Sequence, residues 1–435
     1  MGQVNLPNNS DANTPSSGKT AVFTNSSGNL ATKDAEGNVR EYSPTPLESE
    51  GMVYGVRWDS VNDTMQPGIV DDGSFVATDY SNFPIQEQMK RGLLTNSGEW
   101  AELNERDSSR LPDGTSATLD GSSGQIMVQI PRFYQVITRS GDYVYFLVSE
   151  QPFSFDGVSA WVPLGFRDKS YRYCGAFEAV AASDATDALA KSIVKDTSGY
   201  SMSYPNPFTD RTRGQFRTQC DDGVFHQFDW GLYEILLILF LTEFKTWNSQ
   251  DVLPGYTERD SFDYSYTSKA GQTLSLGNYS GSIWDDDLGL YIANSFRGVE
   301  NIFGNIWKWT DGINIDNPTG DPINVYVCFD PANFADDTTT NYIDTGLSLG
   351  FEDNNDYIKD IQGETKYAPF YPIEIGNGAD SGSFITDYHW NSAGGWRGLG
   401  VGGHLSNSAR AGLASLGASN ASSNSFSSRG ARPAA

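Results

Sequence analysis

The segment Leu232-Tyr-Glu-Ile-Leu-Leu-Ile-Leu-Phe-Leu-Thr-Glu-Phe244 sets the first constraint on the fold. Its uninterrupted apolar run, Ile235 to Leu241, is seven residues long, against the roughly 20 that a bilayer span requires. Glu234 and Glu243 bracket it. A helix that is apolar on nearly every side needs protein on every side. The chain must therefore build a sizeable core around residues 230–247, where a helix from Trp230 to Trp247 is expected.

The material available to surround that helix is mostly strand and turn. Aromatic residues make up 13% of the 435 and there are 45 glycines, a composition of short strands joined by tight turns. A length of this order predicts two or three domains. Residues 1–50 contain three strand-like pieces, Thr20–Thr24, Asn29–Thr32 and Val39–Tyr42, separated by turn signals. They carry too little apolar surface to fold alone, so they are either disordered or paired with copies of themselves or a larger assembly. Residues 51–150 read as a small β-rich domain with strands at Val53–Trp58, Ile126–Ile130 and Tyr143–Val148, and a short helical turn within Ile85–Arg91. Residues 151–435 form the third division, with a second helical candidate at Asp184–Lys195 and long polar loops at Asp330–Asp344 and Gly350–Asp360.

Charge and motifs exclude several functions. Twenty-nine Lys and Arg against 55 Asp and Glu leave a net charge of −26, which argues against binding nucleic acid through its phosphates. Cys174, Cys220 and Cys328 are far apart, with no CxxC or Cys/His pattern, so buried thiols rather than a zinc site are expected. The N-terminus has neither a basic n-region nor an apolar h-region, so a soluble protein without a secretory signal is expected. No HExxH, GxSxG, P-loop or strand-following GxGxxG occurs, and no catalytic residue and no cofactor are expected. The oxygen-rich runs Asp285–Asp287 and Asp336–Asp337 are the candidates for a structural Ca2+. Neither has EF-hand spacing, and solvated acidic turns are the simpler reading.

The last 48 residues, Tyr388 to Ala435, differ from the rest. They contain no Asp, Glu or Lys, and their charged groups are Arg397, Arg410, Arg429 and Arg432. This segment is therefore +4, and the preceding 387 residues carry −30. Nine Ser and three Asn fall within His404–Ser428, the adaptable polar composition of binding loops. By composition alone a disordered tail is the alternative. Leu405, Leu413, Leu416 and Phe426, with glycines at 402, 403, 412, 417 and 430, favour strands and turns.

Two segments carry a family resemblance. Arg297-Gly-Val-Glu-Asn-Ile-Phe-Gly-Asn-Ile-Trp-Lys-Trp-Thr-Asp-Gly312 resembles the G-N-V-W-E-W core of C-type lectin folds of the formylglycine-generating-enzyme type. Trp390-Asn-Ser-Ala-Gly-Gly-Trp-Arg-Gly-Leu-Gly-Val-Gly-Gly-His-Leu-Ser-Asn-Ser-Ala-Arg-Ala-Gly-Leu413, running on to Arg432, is similar to the variable region of phage and prophage proteins diversified by retroelements. The resemblance implies an α+β architecture: N-terminal β-rich fibre and attachment segments, then a C-terminal C-type lectin-like domain with its variable region at about 388–432. It implies a virion protein that binds a bacterial surface protein or glycan, contacts other virion proteins through its N-terminus, assembles as a homotrimer and neither inserts in membrane nor binds nucleic acid.

By the same resemblance the ligand-binding positions are His389, Asn391, Ser392, His404, Ser406, Asn407, Ser408, Ser415, Ser419, Asn420, Ser425 and Phe426. The scaffold positions are Trp307, Trp309, Gly403, Gly412, Gly430 and Arg432, with Arg432 expected to meet an acid and both indoles expected on one buried strand face. The alternatives are a decoration fibre of head or tail without a specific ligand, a formylglycine-generating-type enzyme and a glycan-degrading enzyme. The family's C-terminal copper-binding cysteine pair has no counterpart here, since Cys328 is the last cysteine, which disfavours oxidase chemistry.

Overall fold

The computed structural model describes residues 21–24, 30–33, 39–42, 51–183, 187–194, 206–351 and 353–435. The chain divides into two units, Met1–Met52 and Val53–Ala435. In the first, Ala21–Thr24, Leu30–Lys33 and Val39–Tyr42 form an antiparallel meander, with Ala21 opposite Lys33 and Leu30 opposite Tyr42. The remainder of the expected attachment segment lies outside the described residues.

In the second unit the helix Trp230–Phe244 is buried from Trp230 through Thr242. Asp229 caps its N-terminus by accepting from Leu232 N at 3.0 Å, a contact that satisfies one of the helix's orphan donors. The helix stops short of Trp247 because Lys245 turns left-handed at φ 60°. Trp247 instead packs edge-on against Trp58 and Phe146, each at 5.6 Å. Glu243 pairs with Arg297 at 2.8 Å, whereas Glu234 is buried and desolvation drives its carboxyl well above the usual range.

The unit has three main sheets, and the helix packs on the five-stranded one through Tyr54–Asp59 and Tyr143–Ser149 and on the nine-stranded one through Trp307–Asn317. The five-stranded one runs Tyr134–Ser140, Tyr143–Ser149, Tyr54–Asp59, Thr64–Asp71, Ser74–Ala77. The six-stranded one runs His226–Gln227, Pro433–Ala434, Tyr171–Gly175, Gln125–Pro131, Lys90–Leu94, Trp100–Glu102. It joins strands from both sides of residue 150 to the last residues of the chain, so the segments 51–150 and 151–435 share one sheet within one compact unit.

The nine-stranded sheet is the largest. Its order is Ile343–Leu349, Ile323–Val327, Trp307–Asn317, Gly395–Val401, Leu416–Asn420, Ile385–Asn391, Asp356–Ile361, Pro372–Ile375, with Arg429–Gly430 added beside Trp307–Asn317.

The expected α+β, lectin-type architecture is overturned. The described residues are mostly β, with four α-helices, and only Trp230–Phe244 exceeds eight residues. The second helical candidate fails for a visible reason. Ala190–Lys191 pairs with Val180–Ala181 as a two-stranded ribbon, and Ser192 N is drawn to Gln125 Oε1 at 2.9 Å. Residues 184–186 and 195 of that candidate lie outside the described residues.

Candidate functional site

Side chains alternate across a strand, and this alternation divides the C-terminal half of the large sheet into an inner and an outer face. Inward go Leu399, Val401, Leu416 and Ala418, all buried, with Tyr233 of the central helix donating its hydroxyl to Leu413 O at 3.0 Å. Outward go Trp307 and Trp309, Gly398, Gly400 and Gly417, Tyr388 and Trp390. The glycines make room there: a Cβ on Gly398 would lie 2.9 Å from the Trp309 ring, and one on Gly417 3.3 Å from the Trp307 ring.

On the strand Trp307–Asn317 both indoles lie on one face, and the opposite face is buried as well. Ile306, Lys308 and Thr310 are buried as fully as the two tryptophans, because the helix side also covers the strand. Lys308 sits 3.1 Å from the equally buried Glu178. Burial lowers its pKa to about 8, and Glu178 opposes that shift. Arg432 meets backbone rather than an acid, donating to Gly175 O at 2.7 Å, Glu300 O at 2.5 Å and Asn301 O at 3.1 Å.

Three connections rise from the sheet. In the turn after Ile385–Asn391, Arg397 donates to the carbonyls of Ser392 at 2.8 Å, Ala393, Gly394 and Trp396. Ser392 is half-buried there.

The second connection, 402–415, begins at Gly402 and Gly403 with φ of 90° and 74°, a left-handed pair suited to glycine. Asn407 Oδ1 accepts from His404 N at 2.8 Å, His404 Nδ1 accepts from Ser406 N at 3.2 Å, and Ser408 N donates to Thr257 O at 2.9 Å. His404 stacks obliquely on Phe262 at 5.1 Å, and burial lowers its pKa to about 4. The connection closes on Gly412, pressed against the buried carboxyl of Asp387, which also accepts from Ala414 N at 2.6 Å. Desolvation holds that carboxyl well above the usual range.

The third connection, 421–428, is held by Asn424 Oδ1 accepting from Ala421 N at 3.0 Å and by Arg213 N donating to Ser422 O at 3.0 Å.

The expected ligand-binding positions separate into three groups. Ser408 and Ser425 are exposed; Ser392, His404, Ser406, Asn407, Ser419, Asn420 and Phe426 are half-buried. His389, Asn391 and Ser415 are fully buried and face inward: Ser415 Oγ donates to Arg410 O at 2.6 Å, and Asn391 Nδ2 to Phe351 O at 3.0 Å. These three cannot contact a ligand on the outer face.

The outward positions on the same strand are instead Tyr388 and Trp390, which frame His389. They belong to a continuous run of contacts that also takes in Arg410 and Arg429. Arg410 lies 5.0 Å over Tyr388, Tyr388 is 4.6 Å from Trp390, Trp390 is 5.1 Å from Trp307, and Arg429 lies 5.8 Å from Trp307 and 5.6 Å from Phe426. This run brings the second and third connections together. Ser392 stands apart, in the turn at the far end of its strand.

The acidic runs have other occupations. Asp285 Oδ1 accepts from Asp287 N and Leu288 N within its own hairpin turn. Asp336 is gripped by Arg213 and Arg217, each at 2.7 Å; burial works to raise its pKa, but the two cations hold it below the ordinary value. Asp337 accepts from Ser422 Oγ at 2.8 Å. Among the described residues no cluster of three or more His, Cys, Asp or Glu side chains could hold a metal ion, and no helix is long and apolar enough to cross a membrane. The three cysteines are buried free thiols.

No protein-family model and no curated protein matches the chain. Among solved structures it has a weak similarity to one named Major Tropism Determinant P3c Variant, at 11% identity and a TM-score of 0.26, over 97% of this chain and 95% of that one.

Proposed function

We propose that the chain is a virion-associated adhesion protein that binds a protein or glycan of the bacterial surface. The binding face is formed by Tyr388, Trp390 and Arg410 with the connections 404–410 and 421–428. One observation carries this reading. The connections fix their own backbones, through Asn407, Asn424 and Gly412, while Ser408, Ser423, Ser425 and Ser427 present exposed side chains. A surface built in this way can exchange its outward groups without losing its shape. Aromatic rings supply contact area at little entropic cost, and Ser and Asn supply adaptable hydrogen bonds. The strands of 21–42 would serve attachment to other virion proteins. A homotrimer would multiply single-site affinity through avidity.

The test is adsorption of the full chain to a panel of bacterial cells, comparing the parent with Tyr388→Ala, Trp390→Ala and Arg410→Ala. Residues at the centre of an interface commonly cost about 2 kcal/mol when truncated, so a loss on the order of 30-fold is expected for at least one of the aromatic changes, with the fold retained. A parent that binds no cell, or a triple variant that binds as well as the parent, refutes the proposal.

A further inference from the structure

Five arginines are buried in the described chain: Arg91, Arg172, Arg213, Arg429 and Arg432. Four of them meet acceptors. Arg91 donates to Gly298 O, Thr273 O and Thr273 Oγ1. Arg172 pairs with Asp229. Arg213 reaches Asp336 and Ile313 O, and Arg432 its three carbonyls.

Arg429 differs. It is 4% exposed, its Nη1 is buried with no acceptor, and no carboxylate pairs with it. Its surroundings are rings and glycines: Trp309 at 4.2 Å from the guanidinium carbon, Phe426 at 5.6 Å and Trp307 at 5.8 Å. Gly400 lies beneath it, where a Cβ would stand 3.1 Å from Cζ, and Gly417, where a Cβ would stand 3.4 Å from Nη2. The residue types at 400 and 417 thus leave space for a flat guanidinium, and the rings attract it by their π faces.

Ring faces do not accept the in-plane N–H groups of a guanidinium, which has five donors and no acceptor of its own. A desolvated cation without a counter-ion is costly. Burial with nothing to offset it lowers the Arg429 pKa to about 9. No acid occurs anywhere in the last 48 residues to offset it.

We propose that Arg429 is an anion anchor beneath the candidate binding face, and that it takes one oxyanion group, carboxylate or phosphate, of the bound molecule. The group would take the Arg429 Nη1 proton that the chain itself leaves without an acceptor, and the half-buried Phe426 ring, 5.6 Å from the guanidinium carbon, is the side chain that would have to give way to admit it. This assignment deepens the function proposed above by fixing one chemical property of the ligand. It rests on that reading only for the identity of the molecule that bears the anion.

The experiment uses the full chain and small probes, so that it does not depend on any cell. Thermal unfolding is followed in increasing inorganic phosphate or acetate, at ionic strength held constant with sodium chloride. A ligand that binds only the folded state raises the melting temperature saturably. The expected result is such a rise in the parent, with the larger response identifying phosphate or carboxylate as the preferred group, and no rise in Arg429→Gln. Crystals of the parent soaked in selenate supply a measurement that survives failure of the variant to fold: an anomalous peak within hydrogen-bonding reach of Arg429 Nη1 is expected.

Equal responses of parent and variant, or a selenate soak without density at Arg429, overturns the proposal. A chain that holds selenate there but adsorbs to no bacterium keeps the anchor and loses the function. A chain that adsorbs without an anion site does the reverse.

Discussion

Gly412 is where the geometry of the candidate face is most sharply conditioned by one missing atom. A Cβ at this position would lie 1.8 Å from Asp387 Oδ1, 2.3 Å from Cγ and 2.5 Å from Oδ2. Asp387 is 1% exposed and belongs to the strand Ile385–Asn391, so it has little freedom to retreat. In Gly412→Ala the carboxyl must swing away and release Ala414 N, which it holds at 2.6 Å. Overpacking costs about 1–3 kcal/mol, and a buried N–H left without its acceptor costs about 1–3 kcal/mol more. The substitution is expected to destabilise the chain by about 4 kcal/mol, read by urea unfolding with tryptophan fluorescence. The same substitution in an Asp387→Ala background meets an empty space and should cost below about 1 kcal/mol, giving a coupling of about 3 kcal/mol between neighbours. A cost under about 1 kcal/mol in the parent, or equal costs in both backgrounds, would refute the reasoning. Because the connection 402–415 closes on this contact, Gly412→Ala should also weaken the placement of Arg410 over Tyr388.

Two further outcomes follow from the same region. The Asp387 carboxyl titrates above its unfolded value because it is desolvated, so it binds a proton on folding; its contribution is full below about pH 3.9 and is lost as pH rises through the folded pKa. Asp387→Asn, which can still accept from Ala414 N, should therefore gain stability relative to the parent as urea melts move from pH 4 to pH 7, and a constant difference across that range would contradict the assignment. Thr212 and Gln215 form a reciprocal capping box at the start of Arg213–Cys220, the helix that supplies Phe216 and Cys220 to the cluster over Trp309; Thr212→Ala should cost about 1 kcal/mol, and an unchanged urea midpoint would show that the cap is idle.

How much was legible in the sequence varied with the kind of signal. The buried helix could be read because seven consecutive apolar residues leave no polar face, and the strands Tyr54–Asp59, Gln125–Pro131 and Tyr143–Ser149 because aromatic and β-branched residues cluster between turn formers. The fold class could not. Gly304-Asn-Ile-Trp-Lys-Trp309, within Arg297–Gly312, resembles a core motif over six residues, but architecture depends on which strands lie side by side. The pairing of Cys174 with Ala434 across 260 residues of chain leaves no local trace. The pairing of Arg213 and Arg217 with Asp336 is equally invisible, and without it an acidic pair resembles a cation site.

The binding face shows a subtler failure, one of phase. Tyr388-His389-Trp390-Asn391 alternates, so either the odd or the even positions point outward, and a one-residue shift exchanges the two sets. Polarity favours His389 and Asn391 on the outside. The structure places them inside, because Phe351 and Tyr371 receive the His389 ring at 5.8 and 5.9 Å and Asn317 Nδ2 donates to Asn391 Oδ1 at 3.0 Å. The outward set is aromatic and half-buried, and a pair of large rings left partly open on a surface is the more informative observation.

Charge behaves in a similar way. The segment from 388 onward is +4 by count, yet Arg429 and Arg432 are buried and Arg397 is closed on its own carbonyls. Arg410 alone of the four is exposed, and it is stacked on Tyr388. Of these four arginines the outer surface therefore presents one, beside its rings, with the unpaired Arg429 underneath. No acid within the last 48 residues competes for Arg429, and this leaves its Nη1 proton for the anion proposed above.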